Sequence, residues 1–205
     1  MTMRAQLAIK RVFDVIVTLL ALPVFGALFV LIAPAIALES GSPIFFRLRV
    51  TGRGGKAFDL WKFRTMVPNA RQKAHPFETS ASDPRITRVG RFLRRWSLDE
   101  LPQLWNVLRG DMSFVGPRPA FVEVAERYGP RELRRLQMKP GITGLAQIRG
   151  RNLLPWGQRI AIDNEYIDRF SLRLDFKILF RTIPIWFRGT GVYGEGGKVA
   201  MHDLA

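Results

Sequence analysis

Cysteine is absent from the 205 residues, so no disulfide and no cysteine-ligated metal can hold this chain together; the absence fits a reducing compartment. No set of histidine, aspartate and glutamate shows zinc-site spacing, and His75, alone in a polar stretch, reads as a solvated side chain. Acid is scarce. The 17 Asp and Glu face 32 Lys and Arg, a formal net charge of +15. Such an excess points to anionic partners: nucleic acid, anionic lipid or phosphate-bearing small molecules. Internal repeats and long low-complexity segments are missing too.

What is present is one domain's worth of chain, 47% hydrophobic, enough for a core. Val15 to Leu38 carries no charge and exceeds the roughly 20 apolar residues a spanning helix needs. It is long for the apolar region of a signal peptide, and no small-x-small site ends it. Pro23 lies a third of the way in, where proline removes a backbone bond and kinks a helix. Arg4, Lys10 and Arg11 precede the run, and Arg47, Arg49, Arg53 and Lys56 follow it. Basic residues mark the cytoplasmic side, and here both flanks carry the mark. The expected form is a re-entrant helix bent at Pro23. Val15–Leu22 would be about 12 Å and Pro23–Leu38 about 24 Å long, each short of a ~30 Å core. A single span or a buried soluble helix are the alternatives.

Ile44–Val50 and Ala57–Arg64 alternate around Gly52-Arg53-Gly54-Gly55 and predict a β-hairpin. The loop's spacing is not that of a P-loop. Val67–Asp83 reads as a polar surface helix or loop. Arg85 to Trp96 has helical period, with Val89, Phe92, Leu93 and Trp96 on one face and Arg88, Arg91, Arg94 and Arg95 around it. That pattern suits a basic helix on an anionic membrane surface, or arginines that grip phosphate bidentately.

Next come two adjacent carboxylates, Asp99 and Glu100. Ser97-x-x-Glu100 matches a capping box, with Asp99 at a helix start whose dipole favours its ionised form. A nucleophile or a metal ligand needs that same form. Capping and catalysis both remain open on pattern alone. Gly116-Pro117-Arg118-Pro119 makes a rigid loop presenting one guanidinium, suited to phosphate or carboxylate. Phe121–Met138 reads as an exposed helical region broken at Gly129-Pro130. Lys139–Gln147 is a second glycine-punctuated loop, closed by Gly150-Arg151-Asn152. Gln158–Phe170 predicts a helix. Leu174–Arg188, bent at Pro184, predicts another, either interfacial or core-packed. Periodicity is lost from Gly189, so a mobile tail is expected.

Lys62-Phe63-Arg64-Thr65-Met66, Ser97-Leu98-Asp99-Glu100-Leu101-Pro102-Gln103-Leu104-Trp105-Asn106, Gly110-Asp111-Met112-Ser113, Val115-Gly116-Pro117-Arg118-Pro119, and Lys139-Pro140-Gly141-Ile142-Thr143-Gly144 with Gly150-Arg151-Asn152 together resemble the bacterial sugar transferase family. Its members of this size are the small monotopic phosphoglycosyl transferases. The likeness runs in order from Lys10 to Arg188. It implies transfer of a sugar 1-phosphate from a UDP-sugar to undecaprenyl phosphate with release of UMP. This is the first membrane step of glycoconjugate assembly (exopolysaccharide, O-antigen or capsule), on the cytoplasmic face of the bacterial inner membrane.

By the same resemblance Asp99 is the nucleophile, and Asp99 and Glu100 hold Mg²⁺. Glu100 also serves proton handling. Arg94 and Arg151 bind phosphate, Arg118 helps with the nucleotide, and Gln147 is a further substrate-binding residue. Membrane lipid is a partner and nucleic acid is not. Leu22 stands where the family usually has serine before the proline. The implied fold class is α+β, mainly helical. A re-entrant segment spans 1–40, and a catalytic domain of hairpin and interfacial helices around a membrane-surface site spans 41–188. The tail is 189–205. The competing reading is a non-enzymatic basic module bound to the membrane surface.

Overall fold

A computed structural model of the chain describes residues 1–70, 79–80, 82–188 and 198–199. In order, the elements are helix α1 (Met3–Ser40), strands β1 (Phe45–Thr51), β2 (Ala57–Phe63) and β3 (Thr79–Ser80), helices α2 (Arg88–Arg95) and α3 (Gln103–Arg109), strands β4 (Ser113–Val115) and β5 (Ala120–Phe121), helices α4 (Val122–Ala125) and α5 (Pro130–Leu133), strand β6 (Gly141–Thr143), helices α6 (Leu145–Arg149), α7 (Trp156–Asp168) and α8 (Leu172–Arg188), and strand β7 (Lys198–Val199). The class is the expected α+β, mainly helical. β1 and β2 form the predicted antiparallel hairpin, from Phe45↔Phe63 to Thr51↔Ala57. β5 pairs antiparallel with the other edge of β1. β4 and β6 pair in parallel, and β3 with β7 antiparallel. Apart from β7, the expected tail lies outside the described residues, as does His75.

α1 continues through Pro23 and Pro34 instead of ending at either. A proline removes one backbone donor, and the apolar turns on both sides stay helical. The helix docks on the rest of the chain twice, by different chemistry. Near its start, Lys10 Nζ pairs with Asp175 at 2.5 Å. Arg11 donates to the carbonyls of Val107 and Leu108 at the end of α3. Asp14 Oδ1 accepts from Ser113 Oγ and the Phe114 N–H, both at 3.1 Å. Its second half packs Phe25, Phe29, Ile32 and Ile36 against Phe45, Phe63 and Leu93, with Phe29 and Phe45 stacked at 5.7 Å. Glu39 then accepts from the Arg88 and Val89 N–H groups, and Thr87 caps Gly90. Two otherwise orphaned regions of α2's first turn are satisfied this way. Between the two docks, Leu19, Leu20, Leu22 and Val24 are exposed.

Two backbone segments meet at contact distance where the sequence placed its glycine loops. A Cβ on Gly116 would sit 2.3 Å from the Lys139 carbonyl, and one on Gly141 2.1 Å from the Gly116 nitrogen. Only glycine permits this approach, and it brings the Arg118 loop beside the loop leading to Gln147. The stretch expected to be exposed from Phe121 to Met138 is instead partly core: Val124, Tyr128, Arg135 and Met138 are buried. Short helical turns, too brief to show a period, turn Val124, Tyr128 and Arg135 inward against the Trp156 cluster and Met138 against Val115, Leu145 and Tyr166.

Candidate active site

α2 ends at Arg95, and Ser97 takes a left-handed conformation, φ 50°. This reverses the chain into a single 3₁₀ turn, Leu98–Glu100. The turn presses Asp99 into the protein, where it is 8% exposed. Lys62 on β2 reaches both carboxylates: its Nζ lies 2.8 Å from Glu100 Oε1 and 3.6 Å from Asp99 Oδ2. Arg118 donates to the same Glu100 Oε1 at 2.6 Å. Arg94 Nε donates to Thr65 Oγ1 at 2.8 Å, and Arg151 donates to Ser97 Oγ at 3.1 Å.

This arrangement corrects the capping box. The Ser97 side chain makes no cap bond and accepts from Arg151, while Glu100 is drawn to Lys62 and Arg118. It also corrects the expectation that a helix dipole keeps Asp99 ionised. α3 begins only at Gln103, and burial pushes the Asp99 carboxyl above its ordinary range. The Glu100 charge adds to that push; Lys62, Arg94 and Arg118 oppose it. Glu100, also buried but held by Arg118 and Lys62, lies far below the usual carboxylate range. Arg118 is raised by its partner Glu100. Arg151 is lowered by burial and by Arg118.

Asp99, Glu100, Arg94, Arg118, Gln147 and Arg151 all line one cavity of about 610 Å³, within the ~300–1,000 Å³ common for small-molecule sites. Sequence reasoning left out much of its wall. Lys62, Arg64 and Thr65 come from the end of the hairpin, and Arg135, Trp156, Arg159 and Asp163 from behind. Lys62 and Arg64 belong to the Lys62–Met66 motif, and the alternation running along β2 to its end was the signal that could have placed them. Arg135 and Asp163 gave no such signal, being a charged pair buried to 2% exposure at 2.6 Å. Arg135 also lies 5.1 Å from the Trp156 ring centre. Burial pushes Asp163 up to about 6 in spite of Arg135. Among the described residues, buried polar atoms without a partner gather around this cavity: Arg64 Nε and Nη1, both amide atoms of Gln147, Trp156 Nε1 and Asp163 Oδ1. Such atoms are costly unless something binds them.

Arg88, Arg91 and Arg95 point elsewhere, exposed on the outside of α2 beside Phe92. No group of three or more His, Cys, Asp and Glu that could hold a metal occurs among the described residues. Asp99 and Glu100 offer two carboxylates, which suits Mg²⁺, an ion that takes one or two protein carboxylates and fills its shell with phosphate and water. Lys62 and Arg118 both bond Glu100 Oε1, which leaves Oε2 outside those bonds.

The family model described as bacterial sugar transferase matches residues 5–189. The exopolysaccharide production protein ExoY of Rhizobium meliloti (strain 1021) is 39% identical over 198 residues, 90% of this chain and 88% of that protein. The UDP-glucose:undecaprenyl-phosphate glucose-1-phosphate transferase of Caulobacter vibrioides is 46% identical over 184 residues, 85% of this chain and 68% of its own. The undecaprenyl-phosphate galactose phosphotransferase of Salmonella typhimurium is 38% identical over 204 residues, 93% of this chain and 43% of its own.

Proposed function

Because the chain belongs to the bacterial sugar transferase family, we propose that it moves a sugar 1-phosphate from a UDP-sugar to undecaprenyl phosphate through a covalent ester on Asp99. One observation carries this reading: two adjacent carboxylates, ringed by Lys62, Arg94, Arg118 and Arg151, open on a cavity of substrate size. A diphosphate brings the anionic charge such a ring calls for.

In the first step an Asp99 carboxylate oxygen forms a bond to the β-phosphorus. The bond from that phosphorus to the bridging oxygen breaks, and UMP leaves with the electron pair. In the second step an oxygen of the lipid phosphate attacks the same phosphorus and expels Asp99 unchanged. Two displacements at one residue let a single site serve a soluble donor and a membrane-bound acceptor in turn. The arginines stabilise charge on the transferring phosphoryl oxygens. Glu100, held ionised by Arg118 and Lys62, is placed to fix those two cations and not to carry a proton. Asp99 and Glu100 would hold Mg²⁺, which when bound offsets diphosphate charge.

The reading places the site at a membrane face, with α1 entering and leaving on one side. Both halves of α1 dock on the same body, both flanks are basic, and the residues between the docks are exposed and apolar. Single cysteines at Thr2→Cys and Ser42→Cys label from the same side of a vesicle in this topology, and opposite-side labelling rules it out. The chemistry is tested by incubating the protein with labelled UDP-sugar and Mg²⁺ but no lipid. UMP release with sugar phosphate retained on the protein is the expected result. Absence of both, alongside transfer when lipid phosphate is added, would sink the covalent route.

A further inference from the structure

A second, smaller cavity of about 250 Å³ opens beside the catalytic turn. Ser97, Glu100, Gln147 and Arg151 line both cavities, so the two chambers meet at the reacting end of the site. The rest of the smaller wall is of another character. Leu101 and Leu104 come from the catalytic side, Ile142 from β6, and Leu179, Ile183 and Trp186 from α8. α8 is pinned over the groove by the Thr143–Thr182 hydroxyl pair at 2.7 Å.

We propose that this groove takes the first isoprene units of the lipid-phosphate acceptor, with the phosphate at the Arg151–Gln147 junction. The proposal rests on the transferase reading above and names where its second substrate lies. Three observations carry it. First, the groove carries charged side chains at one end only, and the two threonine hydroxyls on its α8 side bond each other, matching a phosphate with an apolar tail. Second, Gln147 is 8% exposed, yet both of its amide atoms are buried without a partner at that junction. Its N–H donors suit phosphate oxygens beside Arg151. Third, the groove's mouth runs onto apolar surface. Phe176, Phe180, Ile183 and Trp186 are 45%, 70%, 51% and 39% exposed, spaced to share one face of α8. Phe13 of α1 meets Phe176 edge-on at 5.3 Å, so this face is continuous with the exposed side of the anchor helix at Val12 and Ile16. A chain leaving the groove therefore never crosses a polar surface. The volume suits a short segment, below the ~300 Å³ of a typical drug-sized site, so most of a long polyprenyl chain stays outside.

The test uses the full chain in detergent and farnesyl phosphate bearing a diazirine on its last isoprene unit. Photolabelling is expected on α8 between residues 179 and 186 or at Ile142, competed by unlabelled farnesyl phosphate and not by farnesol. In parallel, Ile183→Asp, at an exposed and fold-tolerant position, should raise the KM for farnesyl phosphate about tenfold or more, the scale of lost apolar contact in a pocket. The KM for the UDP-sugar should stay fixed, and Ile183→Leu should behave as the parent. Labelling confined to other surfaces, or an unchanged acceptor KM in Ile183→Asp, overturns the proposal. If no UDP-sugar yields UMP, the transferase reading fails by itself, and the photolabelling still decides whether the groove holds a prenyl phosphate.

Discussion

The Glu100 cluster and the Asp175 cluster each hold a largely buried carboxylate against a lysine, and they differ in how they are closed. Around Asp175 the partners are matched. Lys10 takes Oδ2 at 2.5 Å and the Tyr166 hydroxyl donates to Oδ1 at 2.7 Å, so each oxygen has its donor. Burial still pushes Asp175 up, with Lys10 opposing, and pushes the Tyr166 hydroxyl up too. Around Glu100 the partners are crowded onto one oxygen, a second carboxylate stands beside it, and Arg94 and Arg151 stand close by, donating to Thr65 and Ser97. A matched cluster holds elements together, here α1 to α8. A mismatched one facing a cavity has capacity left for a ligand. Separate losses of activity and of stability should follow that division.

The largest effect is expected at the mismatched cluster. Asp99→Asn should lower sugar-phosphate transfer on the order of 10⁴–10⁶-fold, the scale for removing a nucleophile. It should also abolish retention of labelled sugar phosphate while leaving the melting temperature close to that of the parent. An amide at this buried position carries no charge to desolvate. Equal losses of activity and melting temperature would erase the contrast with Asp175.

Lys10→Met should do the reverse. Removing one partner of a buried pair strands the other, at a cost of about 3–5 kcal/mol. The KM values measured on the protein that remains folded should hold. Asp175 supplies a sign to check. Its folded pKa is raised, and without Lys10 it should rise further. The folded state then binds a proton that the unfolded state has released, and stability must fall as pH rises above the ordinary aspartate value near 3.8. The Lys10→Met deficit, read by urea unfolding, should therefore shrink toward acid. A deficit independent of pH would mean that Lys10 acts through its packing alone.

This division explains what was legible in the sequence. The residues proposed to act through chemistry lay in dense motifs of unusual composition, and Asp99, Glu100, Arg94, Arg118, Gln147 and Arg151 all line one cavity. The hairpin was legible from its alternation, and α7 and α8 from helical period. Asp14, Asp163 and Asp175 were not, because a buried carboxylate is specified by a partner remote in sequence: Ser113, Arg135 and Lys10. The capping box misled for a related reason. Ser97-x-x-Glu100 is a local pattern, and Lys62, Arg118 and Arg151, brought by other elements, outbid the local backbone for both side chains. The parallel β4–β6 pair, three residues per strand, is too short to show a period.

The glycine contact beside those two strands, Gly116 against the Lys139 carbonyl, sharpens the comparison from a third side, because it positions the site without charge. Gly116→Ala should cost about 1–3 kcal/mol, the range for overpacking, since the new methyl meets backbone at 2.3 Å and backbone cannot rotate away. The Arg118 loop moves with it, so the KM for the UDP-sugar should rise while Lys10→Met leaves it fixed. Steady-state kinetics on the two variants make that check.

Glu100→Gln is expected to move a pH midpoint as well as a rate, and its pH dependence separates the two carboxylates. Glu100 is ionised well below the working range, so its own titration should leave no mark on the rate. In the proposed reaction Asp99 attacks as the ionised form, and burial raises its pKa above the ordinary 3.8. UMP release in the absence of lipid should therefore fall as pH drops, with a midpoint above that value. Glu100→Gln removes a like charge that raises Asp99 and frees Lys62 and Arg118 to pair with it, so the midpoint should move toward acid. The plateau rate should fall about 10–100-fold, the usual loss when a residue that orients catalytic groups is removed. A midpoint that moves toward alkali would mean that Glu100 helps to ionise Asp99, for instance by gathering cations around the pair, and that the charge between the two acids is not what governs the nucleophile.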